Sequence, residues 1–353
     1  MFFIFLLVES FIYAGNLETN FNIVFDAEYL SNIDDVVEHY AVNSPTNFLT
    51  NVSQTNFSIS SKLINEKDRK LDGVLEFDFM GDNGFEIVSA YLNYKTSNFY
   101  VKAGKSESLV ATTEKSLDYD GYYSTGGIQT GVLANMRQLQ IGLLKNELKF
   151  SILITDELPS AGGVEAISYY LKQPALELAL SFEKDSFNSK VASHFAKINT
   201  ETENSFNTLL IMNETNVNIN NSFRFKISGF YSEAGSQFFV VEEMFDFYFL
   251  DGKINTVKNY GSYAQLICSL DKSSFWIGAG GFFTKNDDVE NLKSINVNFL
   301  KSNTRISAGI EYEVLPNTMV SFEYSKFSTK RIENKLLNKY IGNSFHFQIS
   351  IEF

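Results

Sequence analysis

The sequence predicts an all-β fold, an antiparallel transmembrane β-barrel, and two observations support this prediction. Apolar and polar residues alternate over many short segments, which is typical of strands with one apolar face and one polar face. The last segment, residues 343–353, reads NSFHFQISIEF and places an aromatic residue at the final position. The closing strand of a membrane barrel turns such an apolar face to lipid. A soluble β-sandwich, the alternative, would expose the same face to water.

The composition agrees with this fold class. The chain has 353 residues, of which 44% are hydrophobic and 20% are charged, and its mean hydropathy is −0.10. Such a balance is expected of a membrane barrel, because half of each strand faces water. The 4 prolines are few enough for long strands that use their backbone N–H groups. The net charge of −13 provides no basic stripe, so we expect no nucleic-acid partner.

The N-terminal segment resembles a secretory signal peptide. Residues 2–8 read FFIFLLV, and Ile12-Tyr13-Ala14 has the character of a cleavage site. No Lys or Arg precedes Lys62, so the usual basic start is missing. We predict a signal peptide over residues 1–14 and one barrel domain over residues 15–353; an apolar first strand is the alternative.

Alternation identifies the candidate strands. In chain order they are residues 19–29, 54–63, 71–79, 85–95, 98–105, 136–143, 147–155, 164–172, 175–184, 188–198, 206–215, 222–232, 261–270, 274–284, 291–300, 304–315, 318–327 and 343–353. Because short and long connections alternate and such barrels have an even number of strands, we predict about 16 strands, with about 18 as the alternative.

The connections are of several kinds. The GDNG sequence at residues 81–84 is a hairpin signal. Residues 30–54 and 106–135 are predicted to be long loops. Residues 233–260 are apolar on both faces in places, and they fit either an inserted loop or an additional strand. Residues 328–342 are predicted to be a further long loop, within which a lysine-rich stretch could form a short helix.

Six motifs in the first half of the chain point to a known family. They are QTNFSISSKL (54–63), GVLEFDFMGDNG (73–84), AYLNY (90–94), FYVKAGKS (99–106), LDYDG (117–121) and RQLQI (137–141). With these motifs the chain resembles the DcaP-like trimeric outer-membrane porins, and residues 295–314 show a weaker similarity. The resemblance implies a homotrimer. It does not carry over anion preference, because Glu86, Val88 and Gly142 stand where the family tends to have arginines.

Strand phase predicts which charges face the lumen. The predicted inward cations are Lys62, Lys95, Lys102, Lys149, Arg224, Lys226 and Arg305. The predicted inward anions are Asp72, Glu76, Asp78, Glu177, Glu183, Glu311, Glu313 and Glu323. The loop at residues 106–135 is predicted to fold into the barrel as a constriction, with Glu107, Glu114, Asp118 and Asp120 as its acidic residues. Acidic loop and basic wall would create a transverse field that orders polar solutes.

These residues favour a bacterial outer-membrane porin that lets small hydrophilic solutes or ions diffuse passively. The alternative is a structural or adhesive barrel whose function resides in its outer loops. The expected partners are outer-membrane lipid, small hydrophilic solutes and two further copies of the chain. We expect no cofactor, no metal site and no catalytic residues, because His39, His194 and His346 lack metal-ligand spacing and a nucleophile–base pattern.

Overall fold

The computed structural model describes the greater part of the chain. The described ranges are residues 17–31, 48–51, 56–66, 68–81, 84–111, 135–157, 169–200, 205–235, 246–250, 253–295 and 297–352. The predicted signal peptide and most of the predicted constriction loop lie outside these ranges.

Twenty strands and one helix form the described structure. The strands are β1 (Leu17–Ser31), β2 (Phe48–Asn51), β3 (Asn56–Glu66), β4 (Arg69–Gly81), β5 (Gly84–Thr96), β6 (Phe99–Glu107), β7 (Asn135–Lys145), β8 (Leu148–Thr155), β9 (Tyr169–Leu171), β10 (Ala175–Lys184), β11 (Phe187–Thr200), β12 (Ser205–Asn218), β13 (Phe223–Glu233), β14 (Phe247–Leu250), β15 (Lys253–Thr256), β16 (Lys258–Leu270), β17 (Ser273–Thr284), β18 (Phe299–Leu315), β19 (Thr318–Glu333) and β20 (Leu336–Glu352). The helix is α1 (Asn286–Ser294).

The main sheet is a closed antiparallel ring of 16 strands. It contains 18 segments, but β2 pairs with β1 as β3 does, and β9 pairs with β11 as β10 does. β2 and β3 are therefore two parts of one interrupted strand, and so are β9 and β10. The last strand returns to the first, since β20 pairs with β1 from Asn22 opposite Glu352 to Ser31 opposite Asn343. The predicted barrel, its strand number and the closing role of the last strand are confirmed.

The longer connections of the barrel lie at one end, and the opposite end carries short turns. Two to four residues join β5 to β6, β7 to β8, β10 to β11, β12 to β13, β16 to β17 and β18 to β19. We name this the turn end, and the opposite end, which carries the longer connections after β1, β6 and β13, the loop end. Asn146, Asp271 and Asn317 have positive φ values of 52°, 36° and 64° in these turns. Asn and Asp tolerate this conformation better than most residues.

Exposure separates the two faces of the wall. On β8, Leu148, Phe150, Ile152 and Ile154 are 37–48% exposed, whereas Ser151, Leu153 and Thr155 are at most 2% exposed. The exposed apolar row is therefore the outer face, and the alternate row faces the interior. Residues directly opposite in the ladder share a face, so the register extends this assignment around the ring. The outer face is apolar, as expected for contact with hydrocarbon.

Two pairs of candidate strands merge. Of the strand predicted at 164–172, the described part is β9 at residues 169–171, which pairs with β11 as β10 does and so is not a separate strand of the ring; residues 164–168 lie outside the described ranges. Residues 299–315 form the single strand β18, so the separate strands predicted at 291–300 and 304–315 are also wrong. Instead, α1 precedes β18. Its acidic first turn and the burial of Val289 and Leu292, three residues apart, are features of an amphipathic helix.

The loop predicted at residues 328–342 is mostly strand. β19 continues to Glu333, Asn334 and Lys335 form a turn with φ values of 49° and 67°, and β20 begins at Leu336. Positive φ at both central residues is the geometry of a tight two-residue hairpin turn. The sequence signal was weak because Lys335 occupies a position that usually holds glycine.

Residues 246–257 contain the hairpin β14–β15, which forms its own two-stranded sheet. Phe247 and Ile254 pack with Phe206 and Ile198 on the inner face of the barrel.

Tyr248 packs against α1, where its hydroxyl donates to Asp288 Oδ1 at 3.1 Å and accepts from Asn291 Nδ2 at 2.8 Å. Burial raises the pKa of the Tyr248 hydroxyl, and the hydrogen bond from Asn291 opposes this effect. The segment is thus an insertion at the loop end.

Candidate functional site

Three of the predicted inward cations surround one cavity at the turn end. Lys95, Lys102 and Lys149 line a space of about 470 Å³ together with Tyr100. The Lys102 ammonium lies 4.8 Å from the ring centroid of Tyr91. The Lys149 ammonium lies 4.9 Å from the ring centroid of Tyr100. These cation–π contacts hold positive charge close to the wall. Among the described residues, no carboxylate oxygen lies within 4 Å of the three ammonium groups.

Aromatic rings on the inner face lie flat where the next strand supplies a glycine. A Cβ built at Gly142 would lie 1.9 Å from the Tyr100 ring, and one at Gly309 would lie 2.0 Å from the Trp276 ring. The register places each of these glycines directly opposite the aromatic residue. Tyr100 is fixed further by a 2.7 Å hydrogen bond between its hydroxyl and Ser151 Oγ. The rings therefore cover the wall and leave the space beside it open.

The predicted charges on β3 and β4 are largely exposed or half-buried. Lys62 Nζ lies 2.7 Å from Glu18 Oε1, and both side chains are exposed. Asp72 lies opposite Lys62 and Glu76 opposite Ser58, so the three charged residues share the inner face. For Asp78 the structure describes the backbone in β4 but not the side chain. Lys62 therefore has an acidic partner that sequence phase did not identify.

Arg224 and Lys226 line a second cavity, of about 600 Å³. Arg224 Nε donates to Asn218 Oδ1 at 3.2 Å. Lys226 Nζ lies 3.4 Å from Glu214 Oε2, and both side chains are nearly buried. The charge of Lys226 is thus paired within the wall.

Arg305 is on the inner face but is only 2% exposed. Its guanidinium forms an ion pair with Glu323, and its Nε donates to Ser325 Oγ at 3.0 Å. Glu323 also accepts a 3.2 Å hydrogen bond from Trp276 Nε1, and His346 lies opposite Glu323 in the ladder. This buried polar group joins strands β17 to β20.

The loop that follows β6 begins inside the barrel. Glu107 is the last residue of β6 and is exposed, whereas Ser108, Val110 and Ala111 are buried. Val110 belongs to an apolar cluster of inward side chains that includes Leu210 and Phe282. The first residues of the predicted constriction loop therefore turn inward. Glu114, Asp118 and Asp120 lie outside the described residues, so their role stays a prediction.

Glu177 on β10 anchors this loop. Its carboxylate accepts from Ser108 Oγ at 2.7 Å and from the Leu109 N–H at 2.7 Å. His194 Nδ1 lies 3.0 Å from the same carboxylate, and both side chains are fully buried. Lys190 Nζ donates to the Ala111 carbonyl at 2.6 Å. Because hydrogen bonds to charged groups are among the stronger ones, this group fixes residues 108–111 against the inner wall. We name it the loop anchor.

Other classes of site find little support in the described residues. They contain no group of three His, Cys, Asp or Glu side chains arranged for a metal ion. No helix in these ranges is long and apolar enough to cross a membrane. His39 lies outside the described residues, and His194 is in the loop anchor.

A closed 16-stranded ring with an apolar outer face, a polar inner face and an inward loop after β6 defines a porin-type β-barrel. The structure is similar to the crystal structure of the outer membrane channel DcaP of Acinetobacter baumannii, with a TM-score of 0.78 and 13% identity over 96% of this chain and 97% of that one. The family resemblance seen in the sequence therefore extends to the fold.

Two other solved structures share the fold. The trimer form of OmpT, an outer membrane protein of Vibrio cholerae, matches with a TM-score of 0.66 and 10% identity over 96% of this chain and 100% of that one. The anion-selective porin from Comamonas acidovorans matches with a TM-score of 0.64 and 9% identity over 96% and 99%. No protein-family model and no curated protein matches the chain.

Proposed function

We propose that this chain is a porin of the bacterial outer membrane through which small hydrophilic solutes or ions diffuse passively. The observation that carries the proposal is the loop anchor inside a closed barrel of 16 strands. A segment bound to the inner wall, as residues 108–111 are, narrows a lumen, and the charges beside it determine which solutes pass. The solvent-accessible cavities at the turn end support a polar path on that side.

The surroundings of the protein follow from the same features. The apolar outer face would contact outer-membrane lipid. A homotrimer is supported by the family resemblance and by the fold shared with the trimer form of OmpT. We propose transport without catalysis, because the buried His194 is committed to Glu177 in the loop anchor.

Refolded protein inserted into a planar bilayer is expected to conduct in discrete steps. A trimer would give three coupled levels, and the reversal potential in a salt gradient would give the sign of the selectivity. Folding is checked independently by the heat-dependent shift in gel mobility that membrane barrels show. If protein that passes this check carries no current, the porin proposal is contradicted.

Replacing both Lys102 and Lys149 with glutamate is expected to shift permeability several-fold toward cations. The two ammonium groups lie beside the turn-end cavity without a carboxylate partner in the described residues, so their field acts on passing ions. The measurement is the reversal potential in a KCl gradient. Lys184→Glu is the matched control, because Lys184 lies at the same end on the outer face. If the double variant and wild type have the same ion selectivity, the two lysines do not act on the ions that pass.

A structural barrel without an open pore is the second candidate, and one observation favours it. Toward the loop end, the inner-face residues Glu323, Ser325 and Ser344 have no exposed surface. If these inner-face residues are covered in the same way in the inserted protein, the barrel would enter bilayers without conducting ions. The conductance experiment separates the two candidates.

A further inference from the structure

The second turn-end cavity has a chemistry of its own. It occupies about 600 Å³ on the inner face of β11, β12, β13, β16 and β17. Its lining consists mainly of carboxamide, hydroxyl and charged side chains, among them Asn188, Glu214, Asn216, Lys226 and Gln265, with Ile267 as the one apolar residue. Its volume is within the range of cavities that hold small molecules.

Polar side chains form a row across neighbouring strands, and three of the four are carboxamides. Asn188 lies opposite Asn216, Asn216 lies opposite Lys226, and Lys226 lies opposite Gln265. A carboxamide offers both donors and an acceptor, as does a hydroxyl group. The row can therefore satisfy a succession of hydroxyl groups whichever way each O–H points. Adjacent strands are about 4.8 Å apart, so the row presents hydrogen-bonding groups at regular intervals.

Part of this hydrogen-bonding capacity is directed to the cavity. Asn188 Oδ1 accepts from the Lys184 N–H at 3.2 Å, and its amino group has no partner among the described residues. Asn216 Nδ2 donates to Glu214 Oε1 at 3.1 Å. The side-chain carbonyl oxygen of Asn216 has no hydrogen-bond partner among the described residues. One donor and one acceptor thus lie side by side on neighbouring strands.

Two of the three charged side chains of this cavity, Lys226 and Glu214, neutralise each other, whereas Arg224 is exposed and donates a hydrogen bond to Asn218. Lys226 Nζ lies 3.4 Å from Glu214 Oε2, with only 7% and 12% of the two side chains exposed. An ionic solute would have to give up hydration beside a nearly buried ion pair whose charges already have partners, which costs free energy. A neutral solute loses less hydration and keeps the hydrogen bonds. The cavity lined by Lys95, Lys102 and Lys149 also contains Glu147 and Glu183, but among the described residues no carboxylate oxygen lies within 4 Å of its ammonium groups.

We propose that this cavity is a binding site for neutral, hydroxyl-rich solutes such as oligosaccharides, which it holds on their way through the barrel. We name it the carboxamide site. Ile267 gives it one apolar surface, against which the C–H face of a sugar can pack. The proposal rests on the proposed porin function for its place in transport, but the binding itself is measured on folded protein without any current.

The test is saturation-transfer NMR on folded, detergent-solubilised protein with maltotriose as the probe. Wild type is expected to transfer saturation to the sugar protons. The double variant N188A/N216A is expected to bind about tenfold more weakly, as the loss of two ordinary hydrogen bonds implies. The matched control is Asn93→Ala, which removes an inward carboxamide from the lysine-lined cavity instead and should leave maltotriose binding unchanged.

Competition identifies the class of solute. Glycylglycine, a zwitterion, and succinate, a dianion, are expected not to displace maltotriose. Displacement by either would overturn the assignment to neutral solutes. Equal maltotriose signals from wild type and N188A/N216A, or no signal from folded wild type, would overturn the carboxamide site. If the protein conducts in steps in bilayers but gives no maltotriose signal, the carboxamide site is wrong and the proposed porin function is not affected.

Discussion

Glu177→Gln is expected to loosen the first residues of the β6–β7 loop and to raise current noise through the barrel. Wild-type Glu177 accepts hydrogen bonds from Ser108 Oγ and the Leu109 N–H while it contacts His194, and the side chains of Glu177 and His194 have no exposed surface. The glutamine side chain carries no charge. Its amino group is a hydrogen-bond donor and would replace one of the carboxylate oxygens that now accept from Ser108 and Leu109. Hydrogen bonds to a charged group contribute about 1.5–3 kcal/mol each, so the effect on the loop should be large.

Two measurements check this expectation. Limited proteolysis of folded protein should cut the variant loop about tenfold faster or more, since about 1.4 kcal/mol corresponds to a factor of ten in the open population. Single-channel records should show excess noise. Glu183→Gln is the control, because it makes the same change on the same face of β10, near the turn end. If E177Q resists protease as wild type does and conducts quietly, Glu177 is not the anchor.

Arg305→Met is expected to lower the stability of the barrel by about 3–5 kcal/mol, the usual effect of removing one partner from a buried ion pair. The Glu323 carboxylate, which has no exposed surface, would be left buried without the guanidinium that now pairs with it. The same carboxylate accepts from Trp276 Nε1. The chain has 1 tryptophan, so its fluorescence reports directly on this part of the wall.

The measurement is urea-induced unfolding followed by tryptophan emission, with the heat-dependent gel shift as a second probe. R305M/E323L should recover most of the loss, because apolar replacements of a whole buried pair are often neutral or stabilising. Lys62→Met is the control, since it breaks the exposed pair with Glu18 and should have far less effect. A loss in R305M no greater than in K62M would show that the buried pair is not a major source of stability.

Sequence alternation was sufficient for the fold wherever the outer residues meet lipid. Ile306, Phe322 and Phe347 are exposed apolar residues on the outer face, and their strands were predicted. Farther along β19, the outer positions hold Lys326 and Lys330. A strand that extends beyond the hydrocarbon needs no apolar outer row, so the alternation fades although the pairing continues. The predicted loop at residues 328–342 was wrong for this reason.

The site was predictable only in part. Strand phase assigned the inner face to Glu177, but its role depends on Ser108, which is 69 residues away in sequence. Likewise, Glu214 was not singled out, because its partnership with Lys226 depends on the β12–β13 register. Period-two patterns report the face of a residue and carry no information about which residue on another strand it meets.

The flat rings of the inner wall have a consequence for the bore of the barrel. Tyr100 and Trp276 lie against the wall only because Gly142 and Gly309 lack a Cβ atom. One methyl group at either position would swing a ring toward the axis, with no change in charge. The bore can therefore narrow without the replacement of any charged residue, and at Gly142 the ring that moves is also the one that contacts the Lys149 ammonium.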